Sequence, residues 1–190
     1  MLLLVGLGNP GSNYTNTRHN IGFRIIDAIN SHFKLSKQKP KFKGLLTTGN
    51  IEEKKIYAIK PLTFMNNSGT AIKELIDYFK IDAKDVIVFH DDMDIDFGKI
   101  KAKFGGGSAG HNGIESIDKF IGKDYSRVRV GIGHPKQKKK VNNHVLEDFK
   151  EDEEEKINEI TENIVKQIPT LIDKKIDLFS SKVNQNLNGI

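Results

Sequence analysis

Three stretches of this 190-residue chain carry chemically capable residues at spacings that known chemistries use. The first is Gly6, Gly8 and Gly11, a G-x-G-x-x-G directly after the apolar run "MLLLV", which is how a dinucleotide-binding domain begins. Such a site needs its helix to start inside the fingerprint, facing the pyrophosphate, and an acid about 20 residues on at the end of a second strand. Here Pro10 interrupts the loop, the polar stretch "SNYTNTR" follows, and Asp27 falls inside an amphipathic helical pattern. A tight strand-to-loop turn accounts for the glycines better, with Gly6 and Gly8 letting the backbone bend sharply where a bulkier residue would clash. No nicotinamide cofactor is expected.

The second stretch is Gly106, Ser108 and Gly110, the G-x-S-x-G of a serine-hydrolase nucleophile elbow. Asp118 or Asp124 and then His134 or His144 follow in the right order. An elbow strand is usually central and apolar on both faces, however, and "KIKAKF" alternates lysine with apolar residues, so one face is wet. A serine esterase using Ser108 is kept as the enzyme-class alternative. The third stretch, "HDDMDIDFG" at 90–98, offers Asp91, Asp92, Asp94 and Asp96 to a cation. A calcium loop starting at Asp92 needs glutamate at its twelfth position, and residue 103 is lysine. A magnesium-dependent nuclease is a weaker alternative. The simpler reading has one aspartate at a strand's C-terminal end serving a histidine and the rest as solvated turn residues, and no metal is expected.

These segments need a scaffold. Strands fit near 1–6, 44–51, 54–60, 85–90, 97–104 and 126–132, with 44–60 as an antiparallel hairpin turned at Glu52 to Lys54. Helices fit 20–33 and 67–79, where isoleucine-rich stripes line one face, and 110–121 after the glycine-rich loop. Residues 151–179 give a long helix with "EDEEEK" complementing the dipole at its start, which Pro169 should kink or split. The fold class expected is α/β, a single-domain twisted mixed β-sheet spanning 1–190 with helices on both faces. Where such sheets are open, ligands bind at the carboxyl ends of the strands.

Composition narrows the classes. Without cysteine there are no disulfides, cysteine–zinc sites or cysteine nucleophiles, which suits a reducing, cytoplasmic setting. No apolar run approaches the roughly 18 residues of a membrane span, and "MLLLVGLG" lacks a basic leader, so the mature chain is read as starting at Met1. The net charge of +5 permits an anionic partner such as nucleic acid, although a lysine-rich genome accounts for it equally well. Arg18, Arg24, Arg127 and Arg129 are the only arginines among 30 basic residues. "PKQKKKV" at 135–141 reads as a solvated loop, with contact to phosphate the alternative.

Five polar segments fall after strands or at helix starts, at 8–22, 60–69, 90–94, 105–113 and 129–135. Together and in order they closely resemble the bacterial-type peptidyl-tRNA hydrolases, over about Met1 to Phe149. "Y-x-x-T-R-H-N-x-G" from Tyr14 to Gly22 and "G-x-x-x-H-N-G-I" from Gly107 to Ile114 look like that family's two signature segments. The resemblance implies hydrolysis of the ester joining a peptide to the terminal adenosine of tRNA, which frees tRNA for reuse. It implies His19 as the general base that activates water and Asp91 as the carboxylate that holds it. A neutral imidazole accepts a proton near pH 7, and a carboxylate fixes its tautomer.

By the same resemblance Asn9 checks that the aminoacyl nitrogen is blocked, by accepting from a blocked amide N–H, and so rejects ordinary aminoacyl-tRNA. Asn66 and Asn112 would hold the substrate and its attacked carbonyl or water, with Gly110 and His111 beside them. Tyr14, Phe64 and Met65 would form a wall for the tRNA 3′ end, where flat rings stack on unpaired bases. Asn20 and Asn67 read as ordinary turn or cap residues. Lys101, Lys103 and Arg129 are candidate phosphate contacts at the acceptor stem. Glu115 stands where the family usually carries a basic residue, and the tail "VNQNLNGI" lacks the family's usual arginine. The expected protein is thus a cofactor-free, monomeric, cytoplasmic esterase acting on peptidyl-tRNA. A catalytically idle tRNA-binding homologue is the binding-class alternative.

Overall fold

Alternate residues of the first strand, β1 (Leu2–Gly6), face different layers: Leu2 and Leu4 belong to one buried cluster, Leu3 and Val5 to another. A strand apolar on both faces must lie inside a sheet covered twice. In the computed structural model, which describes residues 1–135 and 141–187, β1 is the central strand of a seven-stranded sheet. The others are β2 (Lys39–Lys41), β3 (Gly44–Ile51), β4 (Lys54–Pro61), β5 (Val86–Asp92), β6 (Ile100–Phe104) and β7 (Ser126–Gly131), in the order β2-β3-β4-β1-β5-β7-β6. β1 pairs in parallel with β4 and β5, and β5 with β7, while β2–β3, β3–β4 and β6–β7 are antiparallel. The mixed sheet matches the expected fold class.

Two layers of helix complete it. On the Leu2 and Leu4 face lie α1 (Ile21–His32), α5 (Glu151–Lys166), α6 (Ile168–Ile172) and α7 (Ile176–Leu187). On the Leu3 and Val5 face lie α2 (Ser68–Phe79) and α3 (Asn112–Ile121). The isoleucine stripe of α1, Ile21, Ile25, Ile26 and Ile29, is buried, and full burial of each stabilises by roughly 1.5 to 3 kcal/mol. The chain leaves β1 for α1 on one face and β4 for α2 on the other. The carboxyl ends of β1, β4 and β5 therefore flank a topological switch point, where a crevice forms.

Several boundaries differ from expectation. The short β2, built from "KPK", carries no apolar alternation to announce it. β5 runs on to Asp92, and β6 starts at Ile100 because Gly98 turns at φ 85°. The long helix expected over 151–179, with a kink or split at Pro169, is three helices, broken near that proline and again after Ile172. α5 ends at Lys166, Pro169 sits in the first turn of α6, where its missing N–H costs nothing, and α7 continues to Leu187. α7 gives part of the tail a purpose. Asn184 accepts from the backbone N–H of Ile100 at 3.0 Å and donates to its carbonyl at 2.7 Å, while Ser180 accepts from Ala102 N–H at 2.9 Å. These side chains cover the free edge of β6 against further pairing. Of the "PKQKKKV" loop, residues 136–140 lie outside the described residues; a four-residue α4 (Val141–His144) follows.

The opening glycines serve packing. Gly6 and Gly8 do not take positive φ, and only Gly11 does, at 108°. A Cβ on Gly22 would stand 2.3 Å from Leu7 N and 2.4 Å from Phe89 O, and one on Gly6 would stand 2.2 Å from Gly22 O. Glycine is needed there because the first turn of α1 lies directly on the strand backbones. That close approach brings the residues just before α1 to the carboxyl ends of β1 and β5.

Candidate active site

His19 lies on a 3-10 turn, Arg18–Asn20, that leads into α1. Its ring is buried, and Nδ1 meets Asp91 Oδ1 at 2.8 Å. Asp91 comes from the C-terminal end of β5. The same Oδ1 meets His111 Nε2 at 2.9 Å, and the two imidazoles stand 4.8 Å apart between centroids. His111 is the N-cap of α3, where its Nδ1 accepts from the backbone N–H groups of Gly113 at 3.1 Å and Ile114 at 3.3 Å. An imidazole nitrogen that accepts carries no proton, so neutral His111 is the Nε2–H tautomer and donates to Asp91. Asp91 accepts from His19 Nδ1–H as well, which leaves the lone pair of His19 on Nε2. That nitrogen has no partner among the described residues, and His19 lines the cavity.

Burial opposes the ionisation of Asp91, but the charges and hydrogen bonds of His19 and His111 outweigh it and hold the carboxyl well below the usual carboxylate range. Behind it, fully buried His90 donates from Nδ1 to the Asp91 carbonyl at 2.7 Å. Burial first, and then the like charge of His111, push its pKa well below the ordinary histidine value, so His90 stays neutral. Two histidines therefore bond the carboxylate, and a third bonds the backbone carbonyl of the same residue.

A cavity of about 320 Å³ opens beside this cluster. It is lined by Asn9, His19, Asp91, Gly110, His111 and Asn112, by Phe64, Met65 and Asn66 from the turn after β4, and by Ser108 and Ala109. Asp92, Met93 and Asp94 add to one side, Val145 and Leu146 to another. Nine of the residues that the family resemblance singles out thus meet around one space. Tyr14 stands at its edge, its ring 6.5 Å from that of Phe64 and nearly perpendicular to it. Phe64 itself is 59% exposed.

Asn9 is held by Asn20, a residue whose sequence reading was an ordinary cap. Asn20 occupies the N-cap position of α1 but makes no side-chain cap bond; its Oδ1 accepts from Asn9 N–H and its Nδ2 donates to the Asn9 carbonyl, both at 2.9 Å. The Asn9 Oδ1 accepts from Met65 N–H at 2.8 Å. A backbone N–H can only be met by the amide oxygen, so the orientation is fixed and the Asn9 Nδ2 donor is left for the cavity. Asn67, exposed at the start of α2, makes no side-chain cap bond either.

The glycine-rich loop 105–111 has to climb from the far end of β6 back to the carboxyl ends of the strands. Arg127, buried on β7, holds it there by donating to the carbonyls of Gly107 at 2.7 Å and Gly105. This role was invisible in the sequence beyond the scarcity of arginine. The Ser108 hydroxyl donates to Glu115 at 3.2 Å and accepts from Gly110 N–H, and no histidine side chain among the described residues bonds it. His134 pairs instead with Asp94, His144 with the Ile132 carbonyl, and Asp118 with the Tyr125 hydroxyl. A serine nucleophile here has no base, and β6 is an edge strand.

Nor are the remaining aspartates all solvated, as expected from sequence. Asp92 is buried, accepting from Arg129 Nε at 2.8 Å and from Asp94 N–H at 2.9 Å. Lys103 and Arg129 stand outside the cavity, in a shallow groove shared with Lys101 and the α7 residues Ser180 and Asn184. Burial and the neighbouring Arg127 and Arg129 charges lower the Lys103 pKa.

His19, Asp91 and His111 bring three possible metal-ligand atoms within 4.8 Å of one another. The tautomers do not fit that use. A metal on His111 Nε2 would move its proton to Nδ1, against the two N–H groups of Gly113 and Ile114 that Nδ1 accepts, and would remove the cap of α3.

A family model described as peptidyl-tRNA hydrolase matches residues 3–189. The chain is similar to the peptidyl-tRNA hydrolase of Pelagibacter ubique, at 72% identity over 97% of this chain and 99% of that one. The peptidyl-tRNA hydrolase of Ehrlichia canis is 47% identical over 97% and 95%. The crystal structure of peptidyl-tRNA hydrolase from Acinetobacter baumannii superimposes with a TM-score of 0.90 at 34% identity, covering 97% of this chain and 94% of that one.

Proposed function

The chain belongs to the peptidyl-tRNA hydrolase family and is an enzyme that hydrolyses the ester of peptidyl-tRNA; we propose that it does so by attack of a water molecule activated at His19 Nε2. The observation that carries this reading is the Asp91 bond to His19 Nδ1, which turns the free Nε2 lone pair to the cavity. Water gives its proton to Nε2 as its oxygen attacks the ester carbonyl carbon. Ionised Asp91 stabilises the imidazolium that forms. The tetrahedral intermediate then collapses, expelling the ribose oxygen of the terminal adenosine, which takes the proton back from His19. Asn66 and Asn112 supply amide donors where negative charge develops, each such donor being worth on the order of 3 kcal/mol. Ester hydrolysis by this route asks for no cofactor.

Asn9 selects N-blocked substrates, but with the opposite polarity to that expected from the sequence. With its oxygen taken by Met65 N–H, Asn9 presents Nδ2 and donates to the acyl oxygen that blocks the nitrogen. Free aminoacyl-tRNA offers an ammonium there, a donor facing a donor. Phe64 and Tyr14 offer ring faces to the unpaired 3′ bases, at about 1 to 3 kcal/mol per stacked base. Lys103 and Arg129 meet acceptor-stem phosphates, so binding weakens as salt rises. We read the chain as one domain, acting as a monomer in the cytoplasm. No helix among the described residues is long and apolar enough to cross a membrane.

The test compares N-acetyl-aminoacyl-tRNA with its unblocked counterpart, using wild type and Ser108→Ala. Cleavage of the blocked substrate alone, retained within a few-fold in Ser108→Ala, is the expected result. Cleavage of both substrates contradicts the role of Asn9, and loss of activity in Ser108→Ala restores the serine esterase. Tight tRNA binding without turnover identifies an idle binder.

A further inference from the structure

We infer that Arg18 is a positioning residue for His19, bolting the catalytic turn to the wall of the cavity. The inference rests on His19 being the base. A three-residue 3-10 turn has few hydrogen bonds of its own, so its geometry follows from what it is pinned to. Here the pins come from residues 145–149. Val145 O accepts from His19 N–H at 2.8 Å, Glu147 O accepts from Arg18 N–H at 3.0 Å, and Thr17 bridges Asp148. The Arg18 side chain, 4% exposed, locks that pairing. Its Nη2 pairs with Glu153 at 2.8 Å, its Nη1 donates to the Asp148 carbonyl at 3.1 Å, and its guanidinium lies over the Phe149 ring at 5.0 Å from the centroid.

One planar fork therefore joins three things: the turn that carries His19, the segment whose Val145 lines the cavity, and the first turn of α5. A lysine ammonium, as a single point charge, cannot replace a fork that is bidentate and stacked. This explains why a chain that uses lysine for most of its cations keeps arginine beside its histidine. It also gives the acidic "EDEEEK" run a second task beyond the helix dipole.

Arg24 supplies a matched control. It pairs with the next glutamate, Glu154, through two bonds at 3.0 and 2.7 Å, and lies over the same Phe149 ring at 5.8 Å. It sits on α1, away from the catalytic turn. The two arginines thus make similar ion pairs to neighbouring residues of α5, and only one of them holds His19.

The experiment measures kcat, KM and Tm on N-acetyl-aminoacyl-tRNA for Arg18→Met, Arg18→Lys, Glu153→Gln, Arg24→Met and His19→Ala. Arg18→Met is expected to lower kcat roughly 10- to 100-fold with KM within about threefold, since misplacing a base acts on the chemical step. Arg18→Lys should recover only part of that loss. Arg24→Met, which breaks a more exposed pair, should lower Tm by less and leave kcat within about twofold. Near-wild-type kcat in folded Arg18→Met, or an equal kcat loss in Arg24→Met, overturns the inference. Should Arg18→Met not fold, Arg18→Lys and Glu153→Gln decide the matter, with several-fold lower kcat expected and unchanged kcat overturning it. Full activity in His19→Ala removes the base assignment itself. Loss in His19→Ala alongside intact activity in the Arg18 variants removes only the positioning role.

Discussion

Replacing His19 with alanine is expected to lower kcat on N-acetyl-aminoacyl-tRNA by about 10²- to 10⁴-fold, the usual contribution of a positioned general base. KM should change little, because His19 is one of many residues lining the cavity and its proposed task is to take a proton from water. The fold should survive, since His19 contributes only its Nδ1 bond to Asp91 and its place on the turn is set by backbone bonds that alanine retains. Single-turnover hydrolysis with enzyme in excess reads the chemical step directly. A His19→Ala variant that turns over at the wild-type rate would move the base elsewhere, and His111 is poorly suited to receive it. Its Nε2 proton is donated to Asp91, and its Nδ1 is committed to the start of α3.

Asp91→Asn is expected to cost nearly as much, on the order of 10²- to 10⁴-fold in kcat, because an amide neither stabilises the imidazolium nor enforces the productive tautomer. Two histidines donate to one carboxylate oxygen. Asparagine offers that site either one weaker, uncharged acceptor for both N–H groups or, flipped, a donor set against both, and neither holds the two rings as the carboxylate does. Wild-type Asp91 remains ionised across the neutral range, since its pKa lies well below the usual carboxylate values. A group whose folded pKa is depressed contributes stability above the ordinary aspartate range, and that contribution is lost as pH falls towards and through the folded value. Rate changes near neutral pH therefore do not come from Asp91. Asp91→Asn with wild-type kcat would leave the carboxylate a structural role only.

Much of this site is visible in the amino-acid sequence alone. The segments around His19, Asn66, Asp91 and Asn112 are local, each in one polar stretch after a strand or before a helix. What the sequence hides is contact across distance. Arg18 reaches Glu153 and Arg127 reaches Gly105, partners that no periodicity connects. His111 looks like a substrate contact, yet its ring caps α3 and braces Asp91 from the side opposite its backbone bonds. Asn20 resembles a cap because asparagine favours caps, and only burial against Asn9 shows that its amide is spent holding that residue. The glycine fingerprint misleads for a related reason. Close packing of Gly6 on Gly22 demands the same residue type as a phosphate loop, and a spacing pattern cannot tell the two apart.

The most direct test of the mechanism is the protonation pattern of the two facing imidazoles. ¹⁵N-resolved NMR of histidine-labelled protein, with His19 assigned from its absence in His19→Ala, should show the neutral ring carrying its proton on Nδ1 and a bare Nε2. His111 should show the reverse, with Nε2 protonated and Nδ1 bare. A His19 ring protonated on Nε2 in the neutral wild-type enzyme would contradict the account, because no lone pair would then face the water that must be activated.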